Sequence, residues 1–200
     1  MILLSSNANN IFWLGRYLTR IQYFCNKLPF TDDQKAIDFS HAFCLPAYDA
    51  ASLNTLALDP EQQFSLMSQF AVARDNIHEL RAVLSANTYA EMIQLVKNAS
   101  SQPGYICDVV SECNELLESE SEDVFLFFSL GQKLELLDSL IRFKQDPSAV
   151  LNEIDVIVGL LNELGWTALD DAWISLKQSP DTMSLYHFGD QLQLMFEGTA

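Results

Sequence analysis

Between Leu66 and Leu84, apolar side chains recur at Leu66, Phe70, Ala73, Ile77, Leu80 and Leu84, in steps of four and three. An α-helix turns once every 3.6 residues, so this spacing places all six on one face, whereas a strand would send them to both faces. The pattern is that of a long bundle helix buried along one seam. The same period runs through Ile11, Leu14, Leu18, Ile21, Cys25 and Leu28 near the start, and through Ile106, Val109, Cys113 and Leu116 further on. A strongly apolar helix follows over about Asp123 to Lys144. No segment shows sustained strand alternation. The expected fold is therefore all-α, a helical bundle of about eight to ten helices with antiparallel neighbours.

Helix starts are signalled locally. Thr31-Asp32-Asp33-Gln34 has capping-box spacing for a short helix ending near Phe43, and Pro46 opens another through Leu53 and Leu56. Asp59-Pro60, Asp146-Pro147 and Ser179-Pro180 each set an N-cap acceptor before a proline, whose missing N–H costs nothing at the first helical position. These signals predict helices from about Asn7 to Leu28, from Pro60 onward, near 147–164, near 167–177 and near 180–196.

Leu14-Gly15-Arg16-Tyr17-Leu18 has an echo in Leu130-Gly131-Gln132-Lys133-Leu134. At the same offset Ile11, Leu14, Leu18, Ile21 and Cys25 map onto Phe127, Leu130, Leu134, Leu137 and Ile141, nearly the same apolar stripe. Glycine inside a helix costs about 1 kcal/mol against alanine, so each one marks a close backbone approach, and two helices crossing at Gly15 and Gly131 would account for both. The expectation is one all-α domain over 1–200, built as an internal repeat of 1–100 and 122–200 with a linker near 101–121.

Composition narrows the functional classes. Hydrophobic residues make up 49% of the 200, enough for a sizeable core, and 11 basic against 27 acidic residues leave a net charge of −16. That balance argues against nucleic acid and against an anionic membrane as partner, and suits either a basic partner or nothing more than solubility. Met1 to Leu4 is apolar, but Ser5, Ser6, Asn7, Asn9 and Asn10 interrupt it and no basic segment precedes it, so no export signal is read. No apolar run approaches the roughly 18 residues needed to span a bilayer. The four cysteines form no CxxC pair or regular framework, and reduced core thiols in a cytoplasmic protein are expected.

Three segments resemble a known family. Ser5-Ser6-Asn7-Ala8-Asn9-Asn10-Ile11-Phe12-Trp13-Leu14-Gly15-Arg16-Tyr17-Leu18-Thr19-Arg20 is similar to the opening of the alpha-E proteins, helical bacterial proteins named for a Glu-Arg motif. Ala73-Arg74-Asp75-Asn76-Ile77-His78-Glu79-Leu80-Arg81 is similar to the family's second anchor, with Asp59 upstream as the family's aspartate stands. Leu130-Gly131-Gln132-Lys133-Leu134-Glu135 resembles its second Leu-Gly-Arg-x-Leu-Glu element. The motif glutamates are replaced by Asn9 and Thr19 in the first copy, and the arginines by Gln132 and Leu136 in the second, so neither copy holds a complete Glu-Arg pair. The resemblance implies a setting beside circularly permuted ATP-grasp ligases and transglutaminase-like peptidases, in peptide synthesis or modification. It implies a non-catalytic helical accessory or scaffold; the alternatives are an enzyme or anion- or peptide-binding protein using an arginine cluster, and a purely structural helical dimer.

The candidate binding residues are Arg16, Arg20, Arg74, Asn76, His78, Arg81 and Glu135. Arg16 and Arg20 lie four apart beside the apolar stripe, and a partly buried arginine needs a carboxylate, so Arg16 or Arg20 is expected to pair with Glu135 or Asp138 across the repeat. Arg74, His78 and Arg81 follow i, i+4, i+7 spacing. They read either as an anion pocket for a phosphate or peptide carboxylate, or as an ion network with Asp75 and Glu79. His41 and Cys44, with Cys25, fall short of a metal site, and no catalytic residue, metal or cofactor is expected. Trp13, Trp166 and Trp173 read as core aromatics.

Overall fold

The computed structural model describes residues 3–101 and 103–198. Among them are ten α-helices and two 3₁₀ turns, Leu80–Ala82 and Pro103–Tyr105, with no strand. The helices are α1 (Ser5–Cys25), α2 (Asp33–Phe43), α3 (Ala50–Leu58), α4 (Leu66–Glu79), α5 (Ala86–Ser101), α6 (Ile106–Glu118), α7 (Glu122–Arg142), α8 (Ser148–Glu163), α9 (Asp170–Gln178) and α10 (Thr182–Glu197). No described helix is long and apolar enough to cross a membrane.

Several boundaries differ from the local signals, and side-chain acceptors explain the differences. Asp59 does not open α4: its carboxylate accepts from the Glu61 amide, two residues on, and the chain turns until Ser65 takes the Ser68 amide and caps the helix. The helix expected from Pro46 starts at Ala50, where Asp49 and Ser52 close a reciprocal capping box. Asp181, not Ser179, caps α10 by accepting from the Ser184 amide. Asp32 caps α2 as its spacing suggests, through the Lys35 amide. Helix α5 is an addition to the expected set. Its signals are modest: Ser85 accepts from the Thr88 amide, and Met92, Val96 and Ala99 form a short buried stripe.

The six apolar positions from Leu66 to Leu84 are all buried, although α4 ends at Glu79 and a 3₁₀ turn carries Leu80. The chain forms two compact units, one of residues up to 16 together with those from 120 onward, the other of residues 17–119. In the first, α7 packs on α8 and α10, and α9 on α8 and α10. Ile11, Leu14, Phe127, Phe128, Ile154, Leu161 and Phe188 fill its core. Trp173 is buried there and donates its indole N–H to Asp155 at 2.7 Å, which with the Lys177 ammonium lowers the Asp155 pKa, the Lys177 bond being the larger cause. Trp166 stacks edge-on against Phe127.

In the second unit α2 packs on α3, α3 on α4, α4 on α5 and α5 on α6. Phe24, Phe30 and Phe39 cluster with ring centroids 5.2–6.4 Å apart, Phe24 stacked on Phe39 and Phe30 tilted against both. Asn54 spans the Phe30 backbone, accepting from its amide and donating to its carbonyl.

The expectation of four reduced cysteines is overturned. Cys25, at the end of α1, and Cys107, at the start of α6, form a disulfide across 82 residues of sequence, with Cα atoms 5.8 Å apart. Separation in sequence hides the pair, because only the fold brings the two helix ends together. The bond also removes Cys25 from the weak metal grouping with His41 and Cys44, and no described set of three or more His, Cys, Asp or Glu side chains could hold a metal ion. Cys44 is exposed and Cys113 buried. Burial, aided by the Glu112 charge, pushes the Cys113 thiol up to about 12, and the thiolate is the reactive form. Maleimide labelling without reductant at pH 7 should therefore modify Cys44 in the native protein, add Cys113 only on unfolding, and reach Cys25 and Cys107 only after reduction. Mass spectrometry of the labelled chain checks this, and rapid native labelling of Cys113 would contradict its burial.

Candidate functional site

The site begins with two glycines. A methyl group built on Gly15 would overlap the carbonyl oxygen of Phe128 and lie 3.2 Å from the Gln132 amide nitrogen. One on Gly131 would overlap the carbonyl oxygen of Phe12 and lie 3.1 Å from the Arg16 amide nitrogen. Helices α1 and α7 thus cross backbone against backbone, each presenting a glycine to the other. This is the crossing that the two mid-helix glycines predict.

Close approach places the residue after Gly15 directly against α7. The Arg16 Nε–H donates to Glu135 Oε2 at 2.8 Å, and Nη2 lies 4.0 Å from Asp138 Oδ2. Glu135 is one turn beyond Gly131 and only 2% exposed. The guanidinium also lies 5.4 Å from the centre of the Trp13 ring, a cation–π contact. Asp138 accepts in turn from the Arg142 Nε at 2.9 Å. Burial alone would lower the Arg142 pKa, but the Asp138 hydrogen bond and charge, with a smaller contribution from Tyr186, outweigh it and hold the pKa above its ordinary value. Two arginines and two carboxylates thus alternate, each charge beside one of opposite sign, as burial of charge requires.

Beside this network opens a cleft of about 310 Å³ between α1 and α10, with Asp138 of α7 at its edge. Phe12, Trp13 and Arg16 line it from α1. Leu185, Tyr186, Gly189, Asp190, Leu192, Gln193 and Phe196 line it from α10. Of the residues selected from sequence, Arg16 and Glu135 are brought together here. Asp138 is the alternative carboxylate of the sequence reading, whereas Arg142, Tyr186, Gly189 and Asp190 escape it. Asp138 and Arg142 at i, i+4 spacing, and a glycine in the middle of a helical pattern at 189, are the signals that could have found them.

The other candidates belong to the unit of residues 17–119. Arg20 is half-buried on α1. Arg74, on α4, donates from Nε and Nη2 to Asp75 Oδ1 at 3.1 and 3.0 Å, an exposed pair on one helix. Asn76 is half-buried and His78 exposed, while Arg81 falls in the 3₁₀ turn after α4 has ended. Exposed pairs of this kind contribute about 0–1 kcal/mol.

The chemistry open to the Arg16 network follows from its groups. Arg16 presents a fork of N–H donors and Glu135 accepts from its Nε, so the pair holds its neighbours in a fixed orientation. A family model for Alpha-E, described as a predicted alpha-helical domain with a conserved ER motif, matches residues 27–177. The chain belongs to the Alpha-E family. No curated protein and no solved structure matches it. The matched stretch of this Alpha-E protein contains Arg74 to Arg81 and Leu130 to Glu135, while the segment with Gly15 and Arg16 precedes it.

Proposed function

We propose that this Alpha-E protein is a non-catalytic helical accessory or scaffold for an ATP-grasp-type peptide ligase or peptide-modification system. The observation that carries the reading is the use made of Arg16. It is held by Glu135 inside the crossing of α1 and α7, where it joins two helices and shapes one wall of a cleft. A guanidinium so placed ties two helices together and presents its charge beside the cleft, which supports a role in architecture and binding. The association with a ligase, and with a transglutaminase-like peptidase in the same system, rests on the family resemblance. The charge of −16 supports docking against a basic face, an attraction that salt weakens.

The test is co-purification of the tagged full chain, expressed with its neighbouring gene products, followed by mass spectrometry of the eluate. An ATP-grasp-type ligase should co-elute at low ionic strength and be lost as salt rises. Amide-bond formation or ATP turnover by the isolated Alpha-E chain would replace the accessory reading with an enzymatic one. Failure of any ligase to co-elute would remove it.

A further inference from the structure

We propose that the cleft between α1 and α10 is a binding site for a primary ammonium group carried on an apolar body. This goes beyond the accessory role and does not depend on it.

Charge balance gives the sign of the ligand. Arg16 and Arg142 lie against Glu135 and Asp138, so each of these charges faces one of opposite sign. Asp190 is the remaining charge on the cleft wall. It is exposed, and no hydrogen bond or ion pair joins its carboxylate to another described residue. An anion entering the cleft would meet two carboxylates, with Arg16 already bound to a third. An ammonium meets a surplus carboxylate at Asp190, with the 54% exposed Tyr186 on the same wall for cation–π contact, the Trp13 ring already carrying the Arg16 guanidinium. Trp13 and Tyr186 supply most of the apolar surface for the rest of the ligand, over a floor made by the buried Phe12, Leu192 and Phe196.

Gly189 supplies the independent observation. It sits within α10, where glycine costs about 1 kcal/mol relative to alanine. Like Gly159, and unlike Gly15 and Gly131, it has no packing reason to be glycine, because a Cβ there would meet no atom within 4 Å; its place on the cleft wall sets it apart from Gly159. Its backbone is ordinary helix rather than left-handed. It does line the cleft, so what the missing side chain preserves is open volume. At about 310 Å³ that volume lies at the small end of ligand pockets and suits one large apolar side chain with its amino group. A small free amine and the first residue of a peptide share this chemistry.

Calorimetric titration of the full chain with three probes of one apolar body tests the proposal. Phenylalaninamide carries only the positive charge, N-acetylphenylalanine only the negative, and a phenylalanine-led tripeptide amide extends the cation into a peptide. The cationic probe should bind at least about tenfold more tightly than the acetylated one. Binding of both cations identifies a peptide amino terminus as a source, and binding of phenylalaninamide alone identifies a small amine. Asp190→Asn should weaken the cation about fivefold, the range of an exposed ion pair. Gly189→Leu should abolish binding while circular dichroism keeps its helical signal, because the new side chain enters open space. Equal or tighter binding of the acetylated probe, no binding of any probe, or undiminished affinity in folded Gly189→Leu would each overturn the assignment. The accessory reading fails separately, in the co-purification.

Discussion

Replacing Arg16 with methionine should lower the free energy of unfolding by about 3–5 kcal/mol, the range seen when one member of a buried ion pair is removed. The cost comes less from the lost attraction than from what remains. Glu135, 2% exposed, would keep its carboxylate in the core without the Arg16 Nε–H, and with Asp138 one turn away. Glu135→Gln should be milder, about 1–2 kcal/mol, because an amide oxygen can still accept from Arg16 Nε. The double variant Arg16→Met with Glu135→Leu should recover part of the loss, since the buried carboxylate leaves together with its guanidinium partner. Urea unfolding of these variants beside the parent, with Glu135→Leu alone to complete the cycle, gives the coupling directly. Additive effects would mean that the pair does not act as a unit.

The second large effect runs against helix propensity. Alanine favours a helix over glycine by about 1 kcal/mol, yet Gly15→Ala and Gly131→Ala should each destabilise by about 2–3 kcal/mol. Each new methyl would meet a backbone carbonyl of the facing helix, and backbone cannot rotate aside as a side chain can. The helices must separate, and separation also draws Arg16 away from Glu135. For that reason the double glycine variant should cost much less than the sum of the singles, because the first methyl already opens the gap that the second needs. Gly159→Ala is the internal control. Gly159 is exposed within α8, and a Cβ added there would meet no atom within 4 Å, so the propensity should prevail and stabilise by about 1 kcal/mol. Thermal melts of the four variants would decide. A stabilised Gly15→Ala would show that the two helices do not cross this closely.

Much of this is readable along the chain because the causes are local. The stripes Ile11, Leu14, Leu18, Ile21 and Phe127, Leu130, Leu134, Leu137 are buried as their period implies, since a helix turns the same way whatever surrounds it. Gly15, Gly131, Arg16 and Glu135 are also legible. At Gly15, Gly131 and Arg16 the cost of the residue is matched by a specific neighbour, whereas Gly159 and Gly189 carry the same helix cost with no atom against them. Helix starts are less legible. Ser65, Asp59, Ser179 and Asp181 are all competent acceptors, and which one caps depends on how the intervening turn folds.

The disulfide and the cleft depend on neither period nor cap. Cys25 and Cys107 lie on different helices 82 residues apart, and nothing in either local sequence records that their Cα atoms come within bonding reach. The cleft draws Phe12 and Arg16 from the start of the chain and Tyr186, Gly189 and Asp190 from its end. Helix identity, the apolar faces and the excess of negative charge are properties of short windows and of sums over the chain, so they are already present before folding. Which arginine finds which carboxylate, which cysteines meet and which glycine leaves a space are properties of pairs distant in sequence. They come into existence only when packing brings helix surfaces together, because electrostatic pairing, bond formation and excluded volume all act through space over a few ångströms.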